Sequence, residues 1–348
     1  MKEQDVERQA LARYFPMLRS REEILERIGS RSELRDQFMQ WNSEEQETFL
    51  DFCSGARGVK VIYDGFFKEI FNPETVPERL EELLSLLLQK KVKIRQVLPN
   101  DSVRLGAESS LLYTDVLVQL EDGSLANVEI QKIGYYFPGE RSACYSADHL
   151  LRQYKRVRGE KGKLFHYRDI KKVYTIVFFE RSEKEFHHFP GKFLHRFKQT
   201  SDTGLEIELL QEYLYITLDI YKKNMENKSI ETDLEAWLAF LSFDDPKRII
   251  ELIKRSPVFG SMYQDIYEVC MNIEKVMNLY SKELEMMDRN TVHYMIDEMQ
   301  AEIDRQREEM DRQHEEMNYQ HETITKKDAL IQKLQMELEA SKQQNHKI

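Results

Sequence analysis

Two carboxylates stand out as residues able to do chemistry together. Asp115 lies in a strand-like run, Leu111 to Leu120, and Glu129 in a second, Leu125 to Gln131, with Glu121-Asp122-Gly123-Ser124 as the turn between them. In the first run Thr114, Val116, Val118 and Leu120 share one side, and Tyr113, Asp115, Leu117 and Gln119 the other. In the second, Ala126, Val128 and Ile130 form the apolar side, which leaves Asn127, Glu129 and Gln131 together. Packing both apolar sides on one core puts Asp115 and Glu129 on the same opposite face. A three-residue turn with Gly123 in the left-handed conformation, as a G1 bulge, sets them directly across from one another. Carboxylates at that distance repel unless a cation joins them, and two of them with water and a phosphate oxygen describe a hydrolytic magnesium or manganese site. The alternative is an exposed strand face whose acids are only solvated.

The elements that must hold this hairpin are legible around it. Up to about residue 58 the chain reads as polar helices forming an appendage, with Ser43-Glu44-Glu45-Gln46 opening one of them as a capping box. From Val59 the spacing of Phe66, Phe67, Ile70 and Phe71 predicts a helix, and Leu80, Leu83, Leu84, Leu87 and Leu88 predict a second. A short extended piece follows between Lys91 and Asp101. Beyond the hairpin the pattern predicts a helix from about Arg141 to Arg158, a buried strand at Val173 to Phe179 and a further strand near Glu206 to Leu210. These give an α/β core over 59–212, then a helical extension over 213–282. From 283 to 348 a heptad repeat, with Ile296, Ile303, Met310, Met317, Ile324, Ile331 and Leu338 seven apart, predicts a coiled coil or a long solvated helix. The intervening seam positions are Met299, Gln306, Gln313, Gln320, Lys327 and Leu334, so half of the seam is polar and self-association should be weak.

Composition agrees with a helix-rich protein. The 348 residues carry 51 Lys+Arg against 62 Asp+Glu, a net charge of −11, with 41% apolar residues and few Gly (13) or Pro (8), which excludes collagen-like and low-complexity chains. No apolar run is long enough for a membrane span or a signal peptide, so a cytoplasmic protein with no membrane partner is expected. Cys53, Cys144 and Cys270 are isolated and form neither a disulfide framework nor a zinc motif.

An Asp strand, a Gly-containing turn and Glu-x-Gln on the next strand resembles the PD-(D/E)XK nuclease core. More narrowly, Asn127-Val128-Glu129-Ile130-Gln131, then Arg141-Ser142-Ala143-Cys144-Tyr145-Ser146 and Gln153, resembles the PD-(D/E)XK nuclease family transposases, or recombination-promoting nucleases. Upstream, Tyr63-Asp64-Gly65-Phe66-Phe67-Lys68-Glu69-Ile70-Phe71 is similar to that family's opening motif, and Leu234-Glu235-Ala236-Trp237-Leu238-Ala239-Phe240-Leu241 to its Trp-Leu-Phe helix. The sequence departs from the family where a pair of tyrosines is more usual at Ala143-Cys144-Tyr145, and where Arg158-Gly159-Glu160-Lys161-Gly162-Lys163 replaces a Gly/Tyr-rich stretch.

The resemblance implies a restriction-endonuclease-like fold. In it Asp115, Glu129 and the backbone carbonyl of Ile130 would hold a magnesium or manganese ion that activates water for attack on a phosphodiester. Gln131 stands where the wider superfamily has Lys; it can orient water or a phosphate but supplies no positive charge. Lys132 is adjacent yet should face the other way. Asp64 is the early acid the resemblance favours to complete the site, and Arg141 and Tyr145 would contact DNA.

Independently, Lys155, Arg156 and Arg158 open a basic stretch that runs to Lys198 inside an acidic chain, as backbone-directed DNA binding requires. The expected function is a metal-dependent DNA endonuclease tied to transposition or recombination, forming a homo-oligomer through its coil. The rivals are a nuclease fold that has lost its chemistry and serves as an oligomeric DNA-binding module, and a coiled-coil scaffold with an idle head.

Overall fold

The computed structural model describes residues 11–99, 116–133 and 139–345. Six strands form one mixed sheet in the order β1-β2-β3-β4-β6-β5. They are β1 (Ile94–Val97), β2 (Val116–Leu120), β3 (Leu125–Ile133), β4 (Val173–Arg181), β5 (Leu194–Lys198) and β6 (Gln211–Thr217). The β1/β2, β2/β3 and β5/β6 pairs are antiparallel, whereas β3/β4 and β4/β6 are parallel. Parallel neighbours need crossover connections, and between β3 and β4 that role falls to a long helix.

Among the described residues from Arg21 onward, five α-helices precede the sheet: α1 (Arg21–Gly29), α2 (Ser32–Gln40), α3 (Ser43–Ser54), α4 (Asp64–Ile70) and α5 (Pro77–Leu88). The crossover helix is α6 (Gly139–Lys161), three residues longer than expected at its C-terminal end. After β6 come α7 (Leu218–Met225), α8 (Asp233–Ser242), α9 (Pro246–Arg255), α10 (Pro257–Met271) and α11 (Ile273–Asn345). The start of α3 is fixed one residue earlier than the sequence suggested. The Asn42 side chain accepts from the backbone of Glu44 and Glu45 (2.9 and 3.0 Å), and Glu45 accepts from the backbone of Asn42 (2.8 Å).

The sheet has two unlike sides. On one, Val118, Ala126, Val128, Ile176, Phe178, Leu214 and Ile216 join the main core with residues of α1 to α5 and α7 to α11. The N-terminal helices share this core, where the Trp41 ring lies edge-on to Tyr280 at 5.1 Å. The other side packs on α6.

The strand expected near Glu206 to Leu210 lies further along, at Gln211–Thr217. Leu205, Ile207 and Leu209 are exposed, and Leu210 takes a left-handed backbone (φ 66°) that interrupts any extension. The strand begins immediately after it, where Leu214, Tyr215 and Ile216 can be buried. β5 escaped the sequence reading because it is an edge strand written in charge, Leu194-His195-Arg196-Phe197-Lys198, a composition that protects sheet edges from association.

The chain divides into two compact units, residues 1–287 and 288–348. Within the second, the described backbone to Asn345 is helical, and the heptad residues Ile303, Met310, Met317 and Ile324 are exposed.

Candidate active site on the polar side of the sheet

The hairpin turn sets the register. Gly123 has φ 86°, its N–H donates to the Leu120 carbonyl at 2.9 Å, and the Leu120 N–H donates to the Ser124 carbonyl at 2.9 Å. This is the three-residue turn with a left-handed glycine that the sequence required. It pairs Val118 with Ala126, Leu117 with Asn127 and Val116 with Val128. Asp115 lies outside the described residues, as does Asn100, where the connection to it begins.

Glu129 and Gln131 stand on the side of β3 that meets α6. Glu129 is buried at 5% exposure, and Asn127 on the same side is fully buried. Across the parallel ladder Glu129 pairs with Val177 and Gln131 with Phe179. Tyr145 of α6 packs on those same two side chains. The structure therefore brings Glu129, Gln131 and Tyr145 to one level of the sheet. Arg141, one turn earlier on α6, joins them: its Nε and Nη2 donate to the Tyr145 hydroxyl at 3.0 and 2.8 Å.

Asp64, at the start of α4, belongs to a different neighbourhood. Its carboxylate pairs with Lys68 at 2.6 Å, and its N–H donates to Glu283 Oε2 at 3.0 Å. Glu283 is ion-paired with Lys132, whose ammonium also lies 4.5 Å from the centre of the Tyr63 ring. Lys132 thus faces away from Gln131, as strand alternation requires, and cannot supply the missing lysine charge.

The basic residues divide as well. Leu150 of α6 packs on Leu125 and Val173, at the hairpin-turn end of the sheet, whereas Tyr145 packs at the opposite end. Lys155 and Arg158 follow Leu150 and so lie beyond the turn end, about 20 to 26 Å along the helix from Arg141. Arg156 is half-buried between them. Lys172, Arg196 and Lys198 converge instead on Glu212 at 2.6, 3.8 and 3.6 Å. Burial raises the Glu212 carboxyl pKa, and the hydrogen bond and charges of these neighbours more than reverse that, leaving it below its usual value.

One feature of this side was not anticipated from sequence. Ser142, Tyr145, Ser146, His149 and Gln153 form the buried stripe of α6, and on the sheet the polar residues Asn127, Glu129, Thr175 and Thr217 are buried too. Neither His149 ring nitrogen, neither polar atom of the Asn127 side chain, nor the Thr175 hydroxyl has a hydrogen-bond partner among the described residues. Burial lowers the His149 pKa to about 4, with Asp148 opposing and Arg152 assisting. The signal was present as the i, i+3/i+4, i+7 spacing of small and polar residues on α6, a polar stripe where an ordinary packed helix has an apolar one.

Among the described residues no three His, Cys, Asp or Glu side chains cluster as a metal site. The donors on hand are all oxygen: the Glu129 carboxylate, the Gln131 amide and the Ile130 carbonyl. Such a set suits a hard divalent ion and fits the expected metal, with Asp115 not among the described residues. None of the described helices is long and apolar enough to cross a membrane.

A mixed six-stranded sheet with flanking helices, presenting Glu-x-Gln on the strand after a Gly hairpin, is consistent with a PD-(D/E)XK nuclease fold. The chain belongs to the PD-(D/E)XK nuclease family transposases, whose model it matches over residues 61–295. Searches of curated proteins and of solved structures returned no match.

Proposed function

We propose that the protein is a metal-dependent DNA endonuclease of the transposase type. The observation that supports it most is the buried Glu129, level with Gln131 and with Tyr145 of α6, on a hairpin whose register pairs Val116 with Val128. Asp115, Glu129 and the Ile130 carbonyl would hold the divalent ion, magnesium or manganese. That ion, when bound, supplies Lewis acidity and water activation. Gln131 orients the attacking water or a phosphate oxygen through its amide. Arg141 draws the DNA backbone to this end of α6, with the Tyr145 hydroxyl fixing its guanidinium. Asp64 acts through Glu283 and Lys132 on the strand that carries Gln131. Lys155, Arg156 and Arg158 extend the phosphate contacts along the helix, and the heptad tail joins copies into a weak homo-oligomer.

Purified protein with magnesium should nick plasmid DNA. Asp115→Ala and Glu129→Ala should each reduce the rate at least about 100-fold, as loss of a direct metal ligand does at least what loss of a supporting residue does. Nicking that survives both substitutions removes the assignment. Gln131 in place of Lys favours one second reading, a DNA-binding module without catalysis; salt-dependent binding with no cleavage in any divalent metal would select it.

A further inference from the structure

The far end of α6 carries an assembly that the hydrolytic site does not use. Tyr154 and Tyr167 stack nearly parallel, at 9° with ring centres 6.1 Å apart. Phe165 stands edge-on to both, at 5.6 and 5.4 Å. Arg158 completes the group, donating to the Tyr154 hydroxyl with its guanidinium 5.5 Å from that ring's centre. The cluster is not a core. Tyr167 is 74% exposed, and beside it opens a cavity of about 710 Å³ lined by Tyr167, Arg168, Lys171, Lys172 and Tyr174 among others. The two carboxylates lining this cavity are both neutralised, Asp122 by Lys90 at 2.7 Å and Glu208 by Lys172 at 3.0 Å.

The surroundings are strongly cationic. Residues 151–172 hold nine Lys or Arg against two acids. Asp148 takes Arg152, Asp169 takes Lys161, and Glu208 and Glu212 take Lys172. Lys155, Arg156, Arg158, Lys163, Arg168 and Lys171 form no ion pair among the described residues. An exposed aromatic face ringed by unneutralised cations matches an anion that carries flat rings. A duplex hides its base faces, so the complementary ligand is a strand whose bases are unstacked.

We propose that Tyr167, backed by Tyr154 and Phe165, is a stacking platform for unpaired bases of single-stranded DNA, with Arg168 and Lys171 holding the adjoining phosphates. This rests on the nuclease reading for its choice of DNA and names the form of DNA the protein grips. Tyr154 is nine residues beyond Tyr145, about 14 Å along α6, a span that a few nucleotides of an unstacked strand cover. A strand seated on the platform can therefore reach the level of Glu129, so the enzyme would act beside melted or frayed ends.

The test is fluorescence anisotropy of the full chain in EDTA, where cleavage is absent, with labelled oligo-dT of about 20 nucleotides and a duplex of equal length. Tyr167→Leu should weaken oligo-dT binding about tenfold, the loss expected of one base stack, and Tyr167→Trp should restore it. Duplex affinity should stay within about twofold in both variants, because phosphate contacts are unchanged. Equal losses on both ligands, or no loss on oligo-dT, would overturn the platform. Binding to oligo-U RNA more than about tenfold tighter than to oligo-dT would overturn the assignment to DNA. Because binding is read without metal, failure of the nicking assay leaves this result standing, and failure here leaves the nicking assay standing.

Discussion

The two faces of the sheet obey opposite rules although the same strands build both. Along β4, Tyr174, Ile176 and Phe178 enter a dry core of aliphatic and aromatic side chains, while Thr175 and Val177 turn to the α6 side, where Asn127, Glu129, Thr217 and His149 are buried with them. Burying polar groups without full pairing costs free energy, so a polar seam of this size is not what stability alone would select. It lies where the proposed chemistry needs oxygen and nitrogen groups under low water access. The apolar face holds the protein together, and the α6 face gives up some of that stability to present Glu129 and its neighbours.

One substitution on each face of the same strand should show the largest difference between the two sides. Phe178→Ala should cost about 3–5 kcal/mol, because the fully buried ring leaves a cavity in the main core. Thr175→Val, three residues earlier and equally buried, should change stability by less than about 1 kcal/mol and can raise it, since the lost hydroxyl has no partner among the described residues. Urea denaturation of the two variants beside the parent reads the difference. A loss at Thr175 comparable to that at Phe178 would show that the polar face is a tightly bonded network after all.

A smaller effect sharpens the same contrast through pH. Burial holds the His149 pKa at about 4, below the 6.5 of an exposed imidazole. The unfolded chain therefore binds a proton more readily than the folded one between these values. Stability attributable to His149 is complete above about pH 6.5 and falls as the pH drops toward 4, by about 3 kcal/mol in all. His149→Leu should flatten that part of the stability profile by one proton while leaving the neutral-pH value within about 1–2 kcal/mol of the parent. An unchanged slope between pH 4 and 6.5 would mean that His149 is hydrated or charged in the folded protein.

How much of this was legible in the sequence follows from the kind of signal each element carries. The hairpin, the Glu129/Gln131 face and the Val173 strand were readable because period-two alternation and a Gly turn are local properties. So was the turn of Lys132 to the face opposite Gln131, which follows from alternation alone. β5 and the position of β6 were not: an edge strand of mixed charge has no periodic signature, and a left-handed Leu210 is decided by tertiary fit. The basic stretch from Lys155 to Lys198 read as one patch because composition has no geometry. In the fold it splits between the end of α6, the cluster on Glu212 and the pair with Asp169. His149 was invisible for a related reason, since a single histidine on a helix gains meaning only when the strand face opposite it is known to be polar.

The turn at Gly123 decides which residues reach which face, and it gives the smallest but most pointed test. A residue with a Cβ at φ 86° is strained, and an added Cβ would come within 3.2 Å of Lys171 Cγ, a flexible chain able to move aside. The expected cost of Gly123→Ala is therefore conformational, about 1–2 kcal/mol, with nicking activity retained. If the turn instead relaxes into a two-residue form, the pairing of β2 with β3 shifts by one residue and Asn127 and Glu129 no longer share a face with Leu117. Activity would then be lost far out of proportion to stability. Denaturation and nicking measured on the same variant separate the two outcomes: a modest loss of stability with full activity says the core enforces the register, and a collapse of activity says the glycine turn enforces it alone.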